Sequence, residues 1–236
     1  MSHQQKVAIV TGASQGIGAA LVKAFRERNY GVIATSRSIK AFDDPGVLAV
    51  PGDIGSLDTA RRVVAEGLQR FGRIDTLVNN AGFFIAKPFT QYTEDDFAAK
   101  ISTNVAGFFH ITKAAVEVME RGGTGHVVSI TTTLVDHANS NVPSVLASLT
   151  KGGVSAATKS LAIEYATRGI RFNAVSPGII KTPMHPEAIH ATLAGLHPVG
   201  RMGEMRDIVD AVLYLESAKF VTGEILHVDG GQSAGH

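Results

Sequence analysis

The chain has 236 residues, of which 44% are hydrophobic and 18% are charged, a composition typical of a globular protein rather than of a disordered chain or a coiled coil. Its 22 Lys and Arg residues nearly balance its 21 Asp and Glu residues, so the net charge of +1 offers no strong field to nucleic acid or to an anionic membrane. The absence of cysteine excludes a disulfide framework, a thiolate nucleophile and a cysteine-ligated metal.

No apolar stretch reaches the roughly 18 uninterrupted residues expected of a transmembrane helix. The first residues also lack the pattern of a secretory signal peptide. We therefore expect a cytoplasmic protein with neither a membrane nor a nucleic acid as partner. No linker, repeat or break in composition divides the chain, which predicts a single domain over residues 1–236.

Short apolar runs alternate with amphipathic stretches along the chain. The runs predict strands at residues 7–10, 32–34, 47–50, 74–78, 126–130, 170–175 and 225–228. Helical spacing predicts helices at about residues 17–25, 57–71, 93–121, 143–167 and 207–216, and Thr93 with Asp96 resembles a capping box. This alternation is typical of the α/β class, in which crossover helices join parallel strands.

Residues 181–203 form the least regular part of the chain and are rich in Pro, His and Gly. Long loops in compact domains are often functional, so this segment is predicted to be a lid on the substrate side of a site. The alternative is an ordinary surface loop.

Four motifs directly follow predicted strands: TGASQGIG, NNAG, TTT and SPG. Open parallel sheets bind ligands outside the carboxyl ends of their strands, so these motifs predict one shared site. Gly12, Gly16 and Gly18 would allow a tight turn and a close approach of phosphate to the first helix. Their spacing is G-x-x-x-G-x-G rather than the commoner G-x-G-x-x-G.

Together with ISTNVAGFF around Asn104, LTKGG around Lys151, NAVSPGIIKTPM and VDGG, these motifs resemble, in order, those of the classical short-chain dehydrogenases/reductases. The resemblance covers essentially the whole chain. It implies a Rossmann-like, doubly wound sheet of seven parallel strands with helices on both faces. It also implies a nicotinamide dinucleotide, hydride transfer to or from a small-molecule substrate, and a homo-oligomer, either a tetramer or a dimer.

The resemblance assigns cofactor binding to four stretches and one lysine. The glycine turn and the following strand ends would hold the dinucleotide, Lys151 would bond the nicotinamide ribose, and the stretch after the sixth strand would hold the nicotinamide. The implied residues are Gly12, Ser14, Gln15, Ile17, Gly18, Asp53, Ile54, Asn80, Ala81, Gly82, Lys151, Pro177, Gly178, Ile180 and Thr182.

The end of the second strand bears on the choice between NAD(H) and NADP(H). Proteins that use NAD place an acidic residue there to bond the ribose 2′-hydroxyl. This chain has Ser36 followed by Arg37, and a guanidinium can clamp a 2′-phosphate. We therefore expect NADP(H) in preference to NAD(H).

The reaction centre implied by the resemblance is an Asn, a Ser, a Tyr and a Lys. Asn104 and Lys151 match it, and Thr132 falls at the Ser position. The Tyr should precede Lys151 by four residues, but Ala147 stands there, and Ala has no proton to donate. The connection from Thr132 to Lys151 is also about two residues longer than usual.

Three replacements for the tyrosine proton remain open at this stage: a water bound by Lys151, His137 in the loop before the helix, and Ser144 one helical turn before Ala147. The favoured hypothesis is an NADP(H)-dependent oxidoreductase that acts on a small carbonyl, imine or enone. The alternatives are a catalytically impaired dinucleotide-binding sensor or partner subunit, and a lyase on the same scaffold. No metal site is predicted, because the histidines lack ligand spacing.

Overall fold

Residues 5–235 of the computed structural model are described here, and they form a sheet of seven parallel strands. The strands are β1 Val7–Thr11, β2 Gly31–Ser36, β3 Val47–Pro51, β4 Thr76–Asn79, β5 Gly125–Ile130, β6 Ile170–Pro177 and β7 Ile225–Val228. Their order across the sheet is β3-β2-β1-β4-β5-β6-β7. The direction of winding therefore reverses between β1 and β4, and the expected Rossmann-like α/β fold is confirmed.

Helices cover both faces of the sheet. They are α1 Gly16–Glu27, α2 Leu57–Phe71, α3 Glu94–Lys100, α4 Gly107–Gly122, α5 Val145–Tyr165, α6 His190–Ala194 and α7 Met205–Ser217. Apolar residues of α1 and α7 pack on one face, while those of α2, α4 and α5 pack on the other. The central strands are buried from both sides, which explains why they read as continuous apolar runs.

The helix expected over residues 93–121 is interrupted. The capping box is present, because Thr93 Oγ1 accepts from Asp96 N and Asp96 Oδ2 accepts from Thr93 N. After α3, however, residues Ile101–Ala106 form a π-helical segment, and α4 begins only at Gly107. A π segment inside a helix often marks a functional position, and this one contains Asn104.

A buried polar cluster lies at the amino ends of the strands, at the opposite edge of the sheet from the motifs. Glu216 of α7 accepts hydrogen bonds from Tyr30 Oη at 2.9 Å, Thr76 Oγ1 at 3.0 Å and His126 Nδ1 at 2.9 Å. The Nε2 atom of His126 faces Asn173 Nδ2 at 3.1 Å. This arrangement fits a neutral imidazole that donates through Nδ1 and accepts through Nε2.

No helix within residues 5–235 has the length and apolar character needed to cross a membrane.

Candidate active site

A cavity of 790 Å³ opens at the carboxyl ends of the strands, where β1 and β4 diverge. This position is the one at which doubly wound sheets bind ligands. Eighteen of the nineteen predicted site residues line it: Gly12, Ser14, Gln15, Ile17, Ser36, Arg37, Asp53, Ile54, Asn80, Ala81, Gly82, Asn104, Thr132, Lys151, Pro177, Gly178, Ile180 and Thr182. The sequence motifs therefore converge on one cavity.

Gly18 is the predicted residue that does not line the cavity. A Cβ atom at this position would clash with Gly12 O and would lie 2.7 Å from Asn80 Nδ2. Gly18 thus allows the first turn of α1 to pack directly against the loop after β1, rather than contacting a ligand itself.

The loops after β1 and β4 are tied together by a threonine. Thr11 Oγ1 accepts hydrogen bonds from the backbone N–H groups of Asn80 and Ala81, both at 3.0 Å. In return, Asn80 Nδ2 donates to Thr11 O at 2.9 Å. These bonds fix the NNAG turn against the glycine turn, so the two walls of the cavity have a defined separation.

The catalytic-type residues meet beside Gly82. Asn104 Nδ2 donates to Thr150 Oγ1 at 2.9 Å, which leaves Asn104 Oδ1 buried without a hydrogen-bond partner among the described residues. A Cβ atom at Gly82 would lie 3.4 Å from that Oδ1 and 3.5 Å from Lys151 Nζ. The free carbonyl oxygen and the ammonium group therefore face the same narrow space.

Lys151 enters the cavity from α5. Its Nζ donates to Ile130 O, at the end of β5, at 2.7 Å. Burial, together with the positive charge of Lys100, lowers the pKa of Lys151 to about 8. Near neutral pH this lysine is therefore poised to exchange a proton.

Ala147 lies in the first turn of α5, is 4% exposed and lines the cavity. It shares a helix face with Lys151, four residues further on. The two tyrosines nearest to it in the sequence do not line the cavity: Tyr92 Oη donates to Ile85 O at 2.9 Å, and the ring of Tyr165 packs against Phe172. Position 147 is thus the expected place for a proton donor, and neither tyrosine replaces it.

Thr132 stands at the end of β5, where it caps the turn Thr133–Val135. Its Oγ1 accepts from Leu134 N at a long 3.4 Å. Thr133 Oγ1 donates to Asp229 Oδ2 at 2.9 Å, so the C-terminal VDGG stretch supports this wall of the cavity. The Thr132 hydroxyl can still donate a hydrogen bond into the cavity.

The two side chains considered as stand-ins for tyrosine differ in position. His137 lines the cavity, and its backbone N–H donates to Thr133 O at 2.9 Å. Ser144 is buried at the N-terminus of α5 but is not among the cavity-lining residues. Among the residues described, therefore, His137 keeps access to the cavity and Ser144 does not.

Residues 181–203 form one side of the cavity. The segment is not wholly irregular, since it includes the short helix α6. Thr182, Met184, His185 and Leu193 of this segment contribute to the lining. His197 anchors it: its Nε2 accepts from Ile179 N at 2.9 Å, and its Nδ1 donates to Leu193 O at 3.1 Å.

Sequence reasoning missed a charged residue of the cavity wall. Lys100, the last residue of α3, is 1% exposed and lines the cavity. A signal was available, because Lys100 precedes Asn104 by four residues and so shares its helix face. The apolar side chains of Phe83, Phe84, Leu134 and Met184 also line the cavity.

No group of three or more potential metal ligands occurs between residues 5 and 235.

Comparisons with known proteins agree with this architecture. The sequence profile of a family described as Enoyl-(Acyl carrier protein) reductase matches residues 12–233. A 3-oxoacyl-[acyl-carrier-protein] reductase FabG from Thermotoga maritima is 34% identical over 98% of this chain and 99% of its own length. A 3alpha-hydroxysteroid dehydrogenase from Mediterraneibacter gnavus is 36% identical over 98% of each chain.

Solved structures give the same result. ElxO with NADP bound superposes with a TM-score of 0.91 at 29% identity, covering 98% of this chain and 100% of that one. A 3-ketoacyl-(acyl-carrier-protein) reductase from Brucella melitensis, complexed with NADH, has a TM-score of 0.88 at 28% identity over 97% and 98% of the two chains. The chain belongs to the short-chain dehydrogenase/reductase family, and its relatives are named as oxidoreductases.

Proposed function

We propose that this protein is an NADP(H)-dependent oxidoreductase that moves a hydride between nicotinamide and a small carbonyl, imine or enone substrate, with a proton donor other than tyrosine. The observation that carries the proposal is the cavity centred on Gly82. There Asn104 Oδ1 and Lys151 Nζ converge, while Ala147 occupies the position of the expected tyrosine.

The glycine turn fits the pyrophosphate of a dinucleotide. Helix α1 begins at Gly16, and its N-cap residue, Gln15, makes no side-chain cap hydrogen bond. The first N–H groups of a helix have no intrahelical partner and attract anions. A Cβ atom at Gly12 would lie 2.8 Å from Ala81 Cα, so a larger residue would disturb the wall that faces the phosphates.

When bound, the nicotinamide supplies or accepts the hydride. The chain contributes positioning and polarisation. Lys151 bonds the nicotinamide ribose and Thr132 polarises the substrate oxygen through its hydroxyl. Pro177, Gly178, Ile180 and Thr182 hold the nicotinamide side of the cavity, and Asp53 with Ile54 bounds the adenine side. Residues 181–203 act as the lid that limits access of water.

Selection of NADP(H) over NAD(H) rests on the end of β2. Ser36 Oγ is buried without a hydrogen-bond partner among the described residues, and Arg37 is exposed beside it. Asp53, at the far side after β3, is the one acidic residue among those that line the cavity. At the end of β2, a 2′-phosphate would meet the guanidinium of Arg37, and β2 carries no carboxylate to repel it.

Apolar side chains on the outer faces of α4 and α5 support a homo-oligomer. Phe109, Leu149 and Ile163 are 59%, 57% and 80% exposed. Burial of such side chains against a second copy of the chain would remove apolar surface from water.

The direct test is NADPH oxidation, followed by absorbance, with panels of ketones, aldehydes, imines and enones. The unmodified protein should turn over at least one class, while Lys151→Met should lose most of that activity. NADPH binding without oxidation on any panel would favour the sensor or partner subunit, and substrate conversion without a change in nicotinamide absorbance would favour a lyase.

A further inference from the structure

The cavity holds a buried ammonium group that neither the motifs nor the resemblance assigns. Lys100 Nζ donates a hydrogen bond to Phe83 O and lies 4.2 Å from the centroid of the Phe83 ring. The residue is 1% exposed. Buried lysines are normally paired with a carboxylate, yet among residues 5–235 no carboxylate forms an ion pair with Lys100, and burial lowers its pKa. Packing alone does not account for a lysine at this position.

The position of this group is specific. Lys100 Nζ contacts Phe83. Lys151 Nζ approaches Gly82, the residue before Phe83, and would lie 3.5 Å from a Cβ atom placed on that glycine. The two ammonium groups therefore stand along consecutive residues of one cavity wall. They are close enough for the charge of Lys100 to lower the pKa of Lys151. Ala147 lines the same cavity, and its methyl group supplies no phenol there.

We propose that Lys100 is the general acid of the reaction and supplies the substrate oxygen with the proton that Ala147 cannot. This proposal rests on the proposed function. Reduction of a carbonyl needs one hydride and one proton. As the hydride reaches the carbonyl carbon, an N–H bond of the Lys100 ammonium breaks and the O–H bond of the alcohol forms. The neutral amine then takes a proton back from water.

Each of the two lysines donates to one backbone carbonyl, Lys151 to Ile130 O and Lys100 to Phe83 O. Lys151 is less suited to this step, because the proposed function already assigns its Nζ to the ribose, whereas Lys100 has no such assignment. Burial lowers the pKa of Lys100 to about 8, so the amine can be reprotonated near neutral pH. The other titratable side chains that line the cavity are Lys151, His137, His185, Arg37 and Asp53.

The experiment compares Lys100→Met, Lys100→Arg and the unmodified protein, with Lys113→Met as a matched control. Lys113 is an exposed lysine on α4, the next helix after the π segment. Each protein is assayed for NADPH binding by fluorescence titration and for the pH dependence of kcat with a ketone that the unmodified protein reduces. The double variant Lys100→Met/Ala147→Tyr is included as a rescue.

Lys100→Met should lower kcat by about 10²- to 10⁴-fold, the range for a general acid, with the Kd for NADPH within twofold of the unmodified value. Lys100→Arg should be equally impaired, since a guanidinium keeps the charge but does not release its proton. Adding Ala147→Tyr should restore activity. In the unmodified protein the rate of reduction should fall as the pH rises past about 8, because the acid is then deprotonated. Loss of a buried charge should also raise the thermal midpoint of Lys100→Met by about 2–4 °C.

The outcomes separate the two proposals. Equal turnover by Lys100→Met and the unmodified protein would overturn the role of Lys100 and leave the oxidoreductase proposal intact. Full activity of Lys100→Arg would assign Lys100 to binding an anionic substrate instead and would likewise overturn it as acid. Absence of turnover by the unmodified protein on every panel would overturn the proposed function, and the role of Lys100 with it.

Discussion

A methyl group at position 147 changes what the remaining residues must do. A positioned general acid contributes about 10²–10⁴ in rate, whereas correct positioning of two reacting groups can contribute about 7–11 kcal/mol of the barrier. Loss of the tyrosine therefore removes the smaller of the two contributions. The walls that position the reactants are intact, because Asn80 remains bonded to Thr11 and Lys151 to Ile130. Activity without tyrosine is therefore physically reasonable.

Replacement of Arg37 tests the preference for NADP(H). Arg37→Ala should raise the Kd for NADPH by about tenfold, since an exposed charge-assisted contact is worth roughly 1.4 kcal/mol after solvent screening. The Kd for NADH should change by less than twofold. Lys40→Ala, an exposed lysine outside the cavity lining, is the matched control and should change neither value. Equal losses for both cofactors in Arg37→Ala would show that the side chain does not read the 2′-phosphate.

At the scale of single elements, two adjacent glycines at the end of α4 have different backbone requirements. Gly122 is helical, while Gly123 caps the helix in the left-handed conformation with φ of 66°. A Cβ atom at either position would meet nothing within 4 Å, so space does not distinguish them.

Gly122→Ala should stabilise the protein by up to about 1 kcal/mol through helix propensity. Gly123→Ala should destabilise it by about 1–2 kcal/mol through the left-handed backbone. Urea unfolding of both variants measures the difference. If both substitutions stabilise the protein, the helix does not end at Gly123 as described.

Sequence reasoning recovered elements where the local signal was strong. The helix predicted over residues 57–71 is α2, which ends before a left-handed Gly72, and the predicted Thr93–Asp96 capping box starts α3. The π segment Ile101–Ala106 was not predicted, because the apolar periodicity of a helix continues through it. The strand predicted to begin at residue 74 begins at Thr76. Asp75, just before it, already pairs with both neighbouring strands, because its N–H donates to Val7 O and its carbonyl oxygen accepts from His126 N.

The motifs that follow strands line one cavity, since parallel strands bring their carboxyl ends together. Lys100 was not predicted to line the cavity, because its contact with Phe83 joins the end of a helix to a loop that is distant in the sequence. The order of the strands across the sheet was not predicted, since the family resemblance was used only for a doubly wound sheet of seven parallel strands. Local patterns give strands and crossover helices but do not fix the point at which the winding reverses.

At the scale of the whole molecule, the cluster around Glu216 links stability to pH. Burial lowers the pKa of His126 to about 4. The unfolded chain, with an ordinary histidine pKa near 6.5, then binds more protons than the folded chain between about pH 4 and 6.5. The neutral His126 therefore contributes its full share of the unfolding free energy above about pH 6.5. That share, on the order of 3 kcal/mol, is lost as the pH falls toward 4.

Urea unfolding from pH 7.5 to 4.5 should therefore give a steeper loss of unfolding free energy for the unmodified protein than for His126→Gln, which lacks the titrating ring. Burial alone would raise the pKa of Glu216, but the hydrogen bond and charge of His126, together with the positive charges of Lys219 and Lys6, hold that pKa well below its usual range. This carboxylate therefore stays charged throughout that window. If the unfolding free energies of the two proteins fall in parallel with pH, the titration of His126 is not the source of the acid sensitivity.

Assembly is a second property of the whole molecule. Ile163→Asp on the outer face of α5 should shift the protein to a smaller species in sedimentation velocity, because a charge would then have to be buried against the second copy. Lys23→Asp, an exposed change on α1, should leave the sedimentation coefficient as it is. An unmodified protein that sediments as a monomer at micromolar concentration would contradict the proposed homo-oligomer.

Transfer of deuterium from NADPH labelled at C4 of the nicotinamide tests the central claim most directly. The unmodified protein, incubated with labelled cofactor and the ketone, imine and enone panels, should yield a reduced product that carries one deuterium on the former acceptor carbon by mass spectrometry. The experiment is run twice, with the deuterium on one face of C4 and then on the other. Transfer from either face of the nicotinamide ring is therefore detected. Labelled NADPH that binds but retains its deuterium with every substrate would contradict hydride transfer by this protein.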